Sequence, residues 1–426
     1  MRLSLLALYV VVAAVFATQA MMAPLVPLFG LSLGASPAVI GLLVSAGFVL
    51  PLFGALAAGS LVDRRGARPL IVVGALGMTA APLVVVALPT LFGVAVAQLG
   101  LGLAHLVVIV AAQTLVASLG GGRAREKNFG WYTMFVSAGQ LLGPLLAGVL
   151  VDSAGFGVAF AVAAGVSALG AGCSLLLPSG LTPQLGSQQG EGAAAETLGK
   201  DAVSSADKDG DEASGDASLG ETSGGEGVLE LLRRPGVRVA LSVSAAVLFS
   251  LSVYQAFFPA YLDALAFSAT VVGGLLSLRA LASLLVRPFT ARIMALFARR
   301  LQGLKVMLLL IAVGLGLTGL FDTLLLLGLL AIVVGVGVGI AQPISMVTVV
   351  DHVDSHIWGF ALGLRLTGNR LAQVLGPALL GVSAEVLGFD GMFLLAGGVL
   401  VVAIGLLQWW GPAFDRAEKA RGVGGG

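Results

Sequence analysis

Three arginines stand out because of where they lie: Arg279, Arg365 and Arg370 fall inside long apolar runs, not at their ends. A cation in hydrocarbon is costly, so such a residue faces a protein interior or a wet cavity and by default marks function. At 1.5 Å per helical residue, Arg279 lies about 15 Å into its run, Arg365 about 12 Å and Arg370 about 20 Å into theirs. On a helix, Arg365, Asn369, Arg370 and Gln373 share an arc of about 140°. That set could recognise an anion or a hydrogen-bond acceptor, or it could brace the fold through backbone carbonyls, Asn369 or Gln373. Arg287, close to the surface residue Arg292, is expected to snorkel. Elsewhere Gln98, His105 and Gln113 share a helical face, with His105 either titrating near neutrality or staying neutral and hydrogen-bonded. Tyr254 shares a stripe with Ser250, Phe257 and Tyr261. The stripe suits an amphipathic solute, or packs helices with Tyr261 as an interfacial anchor. Gln19 is a further cavity candidate. His352 and His356, with Asp351 and Asp354, have a spacing that could hold a metal, but a solvated helix start explains them as well and no metal is assigned.

These residues need apolar helices to hold them. Hydrophobic residues make up 58% of the 426-residue chain and charged residues 11%, too few charges to coat a water-facing surface. The mean hydropathy of +1.03 and the 61 glycines fit an all-α polytopic membrane protein. A spanning helix needs roughly 20 apolar residues. Twelve candidate spans follow: 3–29, 37–62, 69–88, 91–118, 129–151, 156–177, 237–262, 269–291, 303–321, 324–350, 357–384 and 391–411. The first begins near Arg2 like a signal peptide, but its apolar stretch is about twice the usual length and it is kept as a span. Arg64, Arg65, Arg68, Arg123, Arg125, Lys127, Arg233, Arg234, Arg238, Arg292, Arg299, Arg300 and Lys305 lie in loops on one side. The opposite loops carry only Asp152, Asp263, Asp322, Glu385 and Asp390. By the positive-inside rule both termini are cytoplasmic. Residues 179–236 form a linker. Its stretch 179–232 is rich in Gly, Ser, Ala, Asp and Glu, lacks aromatics, and cannot offset its ordering entropy. The expected domains are therefore 1–178, the disordered cytoplasmic linker 179–236, 237–411 and a cytoplasmic tail, 412–426.

The halves repeat. Adding 232 maps Pro27 to Pro259, Ser36 to Ser268, Gly41 to Gly273, Ser45 to Ser277 and Arg68 to Arg300. Adding 233 maps Gly130 to Gly363, Gln140 to Gln373, Gly143-Pro144 to Gly376-Pro377, Gly148 to Gly381, Asp152 to Glu385 and Gly155-Phe156 to Gly388-Phe389. A nearly constant offset indicates duplication, and two parallel six-span repeats describe a known transporter architecture.

Two motifs give the architecture a family. Residues 59–68 include Gly59, Asp63, Arg64, Gly66 and Arg68 and resemble the major facilitator superfamily signature G-x-L-a-D-r-x-G-r-k. In that resemblance Gly59 permits close helix approach, Asp63 accepts from a helix N-terminus or pairs with an arginine, and Gly66 turns the chain. Together they would latch one conformation; a simple positive-inside loop is the competing reading. The second-half counterpart has Ala291 and Ala295 in place of Gly59 and Asp63, so a weaker latch is expected there. Span 5, with Gly139, Gly143, Pro144 and Gly148, is similar to the G-x-x-x-G-P-x-x-G-G pattern of the superfamily's antiporters, with Ala147 in place of one Gly. It could equally be a tight packing face with a kink at Pro144. Span 4 has Ala95 before Gln98 where many exporters carry R-x-x-Q-G.

The resemblance implies a secondary transporter of the inner membrane, working by alternating access and exporting a small organic compound by proton antiport. Against this, no Asp or Glu falls in the middle of a span. A carrier for an organic anion, held by Arg279 and Arg370, is the alternative; a non-transporting sensor signalling through the linker is the reading from another class. No phosphate-cradling loop is present, so no enzyme and no cofactor are expected. The partners expected are a small-molecule substrate, protons as coupling ion and the lipid bilayer. Nucleic acid is not among them, and the protein should be a monomer.

Overall fold

Lipid offers no water to backbone N–H and C=O groups, so a chain this apolar must satisfy them within helices. The computed structural model describes residues 2–118, 123–177, 228–353 and 358–420, and among these it is helix and turn only. Ten helices are long and apolar enough to cross a membrane. Two of these are double. Arg123–Ser174 and Trp358–Ala420 each contain one residue off helical geometry, Gly155 (φ 84°, ψ 173°) and Gly388 (φ 69°, ψ 178°). The chain reverses at each. Along Arg2–Ser32, Asn128 lies near Tyr9 and Gly143 near Ala17, then Phe156 near Phe29 and Gly170 near Ala14. Twelve spans result, as expected, and the two reversing glycines are equivalent in the repeat.

The repeat is visible in the caps. Ser36 accepts from Val39 N at the start of Pro37–Arg65, and its equivalent Ser268 accepts from Val271 N at the start of Ala269–Val286. Span 8 runs from Ala269 to Met294, covering the expected 269–291, but its α-helix is interrupted after Val286 by a 3-10 turn, Arg287–Phe289, before helix resumes over Thr290–Met294. Pro288 has no N–H to continue an α-helix. The last helix runs to Ala420, so residues 412–420, expected to be a tail, are packed: Phe414 is fully buried and stacks on His352 at 5.0 Å. The end of the expected linker is also ordered. Val228–Arg233 is helical, and Leu231 is buried with Val237, Ala240 and Val349. The rest of the linker up to 227, residues 179–227, lies outside the described residues, as does residue 178.

The conformations at Gly155 and Gly388 are essentially closed to residues with a Cβ and cost about 1–3 kcal/mol elsewhere in proteins. Gly155→Ala and Gly388→Ala should each lower the unfolding temperature in detergent by several degrees. Gly100→Ala, where a Cβ would meet nothing within 4 Å, should not. Equal unfolding temperatures for all three variants would refute this account of the reversals.

Candidate functional site

Where the two halves meet, backbone touches backbone. A methyl on Gly41 of span 2 would collide with the Pro377 carbonyl of span 11, and one on Gly273 of span 8 with the Pro144 carbonyl of span 5. One on Gly148 would collide with the Ala269 carbonyl, and one on Gly381 would lie 2.8 Å from the Pro37 carbonyl. Serines lock the same crossings: Ser45 Oγ donates to Val374 O at 2.7 Å, Ser277 Oγ to Leu141 O at 2.6 Å. Farther out, Asp152 accepts from Ala269 N (3.0 Å) and Thr270 N (2.7 Å) at the N-terminus of span 8, and Glu385 accepts from Ala38 N (3.4 Å) at that of span 2. Each of these contacts has its partner under the repeat except the bond from Ala269 N, whose equivalent Pro37 has no N–H. They close the end of the molecule carrying the acidic loops. At the arginine-rich end, the side-chain hydrogen bonds among the described residues stay within one half, and the equivalent Gly130 and Gly363 face open space.

This geometry gives the span 5 motif its role. Gly139 and Gly143 seat span 5 on Ala13 and Ala17 of span 1, while Pro144 and Gly148 face span 8 of the other half. In span 11, Gly376 packs on Phe249 and Val253 of span 7, and Pro377 and Gly381 meet span 2 in the same way.

Beneath the closure lie the polar groups. The Arg279 guanidinium sits 5.7 Å from the centroid of the Tyr254 ring, within cation–π range. Arg279 Nε is buried without a hydrogen-bond partner, and so is the Tyr254 hydroxyl. Gly335 lets span 10 pack on the Arg279 backbone, which fixes where the side chain starts. The other arginines are engaged. Arg365 Nη2 donates to Ser345 Oγ at 3.1 Å and to Gln342 O at 3.5 Å, and Arg370 Nη1 donates to Gln373 Oε1 at 3.0 Å. The span 11 arc is therefore not one surface: Arg365 braces span 10, Gln373 is taken up by Arg370, and Asn369 is buried with Oδ1 unpartnered. His105 meets Phe16 edge-on at 4.9 Å, with Nε2 buried and unpartnered. Gln19 and Gln98 line a cavity of about 20 Å³, roughly the room for one water. Gln255, which the sequence reading missed, lines it too. Its only signal was a carboxamide in an apolar run beside Tyr254.

Other expectations change. In span 7, Ser250 bonds its own helix at Val247 O, Phe257 packs at Gly41, and the Tyr261 hydroxyl lies 2.9 Å from Phe321 O and 3.1 Å from Gly319 O. Only Tyr254 of that stripe faces the polar groups. Arg287 is half-buried, with Nε buried and without a hydrogen-bond partner among the described residues. In the 59–68 loop, Gly66 caps span 2 through its N–H to Val62 O, and Arg68 donates to Leu175 O at 2.9 Å. Gly59 meets nothing within 4 Å, so it makes no close approach in this conformation; Arg64 is exposed, and the Asp63 side chain lies outside the described residues. At the second-half counterpart, Arg300 pairs with Asp351 at 2.6 Å and Glu418 at 3.4 Å, and Arg299 with Asp415 at 2.7 Å. His352 is turned inward to Thr348 O, while Asp354 and His356 lie outside the described residues.

Two bundles joined face to face, closed at one end over buried polar side chains, have the architecture of a multi-pass membrane carrier. The chain belongs to the major facilitator superfamily, whose family model matches residues 8–261 and 240–423. Solved structures agree on the fold. A bacterial homologue of the human lysosomal transporter Spinster, inward-facing and occupied, is 12% identical with a TM-score of 0.69, over 97% of this chain and 96% of that one. The nucleoside transporter NupG is 15% identical with a TM-score of 0.73, over 95% and 99%. A peptide transporter, POT, is 16% identical with a TM-score of 0.70, over 97% and 95%. No curated protein matches the chain.

Overpacking a close crossing costs about 1–3 kcal/mol, which moves a two-state equilibrium about tenfold. In a Cys173→Ser background, a cysteine at Ser45 should therefore react with a maleimide about tenfold faster when Gly273→Leu is added. An unchanged rate would show that the 5–8 crossing does not hold the 2–11 crossing shut. Burial pushes the Asp152 carboxyl up, but hydrogen bonds from Thr270, Ala269 and Ser268 outweigh it and hold the group below the ordinary aspartate value. A depressed value stabilises fully above the ordinary one, and the effect is lost as pH falls through the depressed one. Between about pH 5 and pH 3 the wild type should lose more thermal stability than Asp152→Ala. Parallel pH profiles would remove Asp152 from the closure.

Proposed function

We propose that this chain carries a small organic anion across the cytoplasmic membrane by alternating access, with Arg279 as the anion's anchor. One observation carries the proposal: half-buried Arg279 lies at mid-depth beside the Tyr254 ring, its Nε buried and without a hydrogen-bond acceptor among the described residues. A cation withdrawn from water without a counter-charge is costly, and a bound carboxylate or phosphate would offset that cost with charge-assisted hydrogen bonds. Arg370, whose other donors remain after Nη1 is engaged by Gln373, extends the positive lining. Under the positive-inside rule the arginine-rich end is cytoplasmic, so the described conformation opens inward. The loop 59–68, with Asp63, would then latch the opposite, outward-open state, in which its end is closed. Proton antiport of an exported compound, suggested by the resemblance of span 5, finds no mid-span carboxylate to carry the proton. The chain works as a monomer in this scheme, since the whole path lies between its own halves.

Thermal shift of the detergent-solubilised protein tests the anchor. The panel contains mono- and dicarboxylates, phosphate monoesters, lipophilic cations and neutral amphiphiles. At least one anion class should stabilise the protein, and Arg279→Gln should weaken that binding about 30-fold or more, whereas Arg365→Gln should lower stability without changing the preference. Stabilisation by cations or neutral compounds alone, or an Arg279→Gln protein that binds anions normally, would overturn the proposal.

A further inference from the structure

The roof of the cavity is made of carboxamides. Gln19 of span 1, Gln98 of span 4 and Gln255 of span 7 bring side chains from both halves to one small space, among Met22, Val44 and Phe48. The hydrogen bonding of Gln98 gives the roof a polarity. Its Nε2 donates to Leu43 O at 3.4 Å, so Oε1 is the atom turned to other partners, and that atom is buried and has none. Gln19 Oε1 is likewise buried without a partner. Gln255 makes no hydrogen bond among the described residues. Two buried acceptors and a free carboxamide, set in an apolar surround, require donors from elsewhere. The space here is about 20 Å³, so in the closed conformation one water fits and a substrate group does not. Gln255 follows Tyr254 in the chain, and the Tyr254 ring lies 5.7 Å from the Arg279 guanidinium, which ties this roof to the charge anchor.

We propose that Gln19, Gln98 and Gln255 form a subsite that reads hydrogen-bond donors, so that the cargo is an organic anion whose uncharged end carries hydroxyl or amide N–H groups. This rests on the anion reading above and narrows it. Neither a plain fatty carboxylate nor a lipophilic compound supplies donors to Oε1 of Gln19 and Gln98; a polyhydroxylated or amide-bearing acid does. A site built around polar groups rejects an analogue that leaves them unpaired far more strongly than an apolar pocket rejects an added hydroxyl. The carboxamides thus act as specificity residues and Arg279 as the charge anchor.

The test uses the full chain in detergent and matched anions of equal charge: gluconate, galacturonate and N-acetylneuraminate against hexanoate and cyclohexanecarboxylate. Binding is read by thermal shift and by calorimetry. At least one hydroxylated anion should bind about tenfold or more tightly than its plain counterpart. Gln19→Leu and Gln255→Leu should erase that preference, and Gln19→Asn, which keeps the carboxamide, should retain part of it and control for folding. Arg279→Gln should weaken both classes alike. If Arg279→Gln abolishes anion binding but the wild type binds plain acids as tightly as hydroxylated ones, the roof proposal falls and the anion reading stands. If the hydroxylated compounds bind equally well without Arg279, or bind only in neutral forms such as glucose, the anion reading falls and the roof stands as a subsite for neutral polar cargo. Stabilisation by none of the hydroxylated anions overturns the proposal as stated.

Discussion

Everything in this molecule hangs on a contact without side chains. At the crossings of spans 2 with 11 and 5 with 8, carbonyl oxygens of one half lie where a Cβ of the other would have to be. Between helices in lipid there is little hydrophobic drive, so association depends on close packing and on hydrogen bonds across the interface. Glycine provides the approach, and the approach in turn places Ser45 and Ser277 within reach of the Val374 and Leu141 carbonyls. A neutral hydrogen bond of this kind contributes a net ~0.5–1.5 kcal/mol. A few of them hold a gate shut, yet their sum stays comparable with the roughly 5.5 kcal/mol by which a ligand must favour one state to invert a strongly biased equilibrium. A salt-bridged, side-chain-rich interface would have been harder to reverse.

The same symmetry separates what is shared by the halves from what is not. The caps, the reversing glycines, the glycine crossings and the outer carboxylates occur twice. The cavity chemistry does not. Positive charge comes from the second half, through Arg279 and Arg370, and carboxamides come mainly from the first, through Gln19 and Gln98. On the reading proposed above, gate and site follow different rules: the gate closes evenly, while a cargo with two unlike ends would need two unlike walls. The arginine-rich end is asymmetric too, since Arg300 is tied to Asp351 and Glu418 whereas its equivalent Arg68 reaches only the Leu175 carbonyl.

Much of this was legible in the sequence, and the reason is the bilayer. Hydropathy fixes the spans because lipid forbids any spanning element that leaves its backbone unsatisfied. The constant offset between Gly41 and Gly273, or Gly155 and Gly388, reports duplication because glycines demanded by backbone geometry tolerate little replacement. Helical arcs were less informative. They placed Arg365, Asn369, Arg370 and Gln373 together, which is true of the helix surface, but an arc of that width touches several neighbours. Ser345 on span 10 takes Arg365 and leaves Arg370 to Gln373. The stripe of span 7 failed likewise, since Phe257 and Tyr261 answer to spans 2 and 9 and Tyr254 alone to Arg279.

By itself, then, the sequence determined the class of protein, the number of spans, the repeat and the residues too polar for lipid. Those properties follow from composition and period, which each segment carries within itself. The tertiary structure alone decided which polar residues are spent on one another and which are left over. It also showed that the glycine–proline segments of spans 5 and 11 meet the opposite half, and that Gln255 joins Gln19 and Gln98. Partnership across the bundle depends on rotation and depth of helices far apart in the chain, and those are set by packing that no single segment encodes.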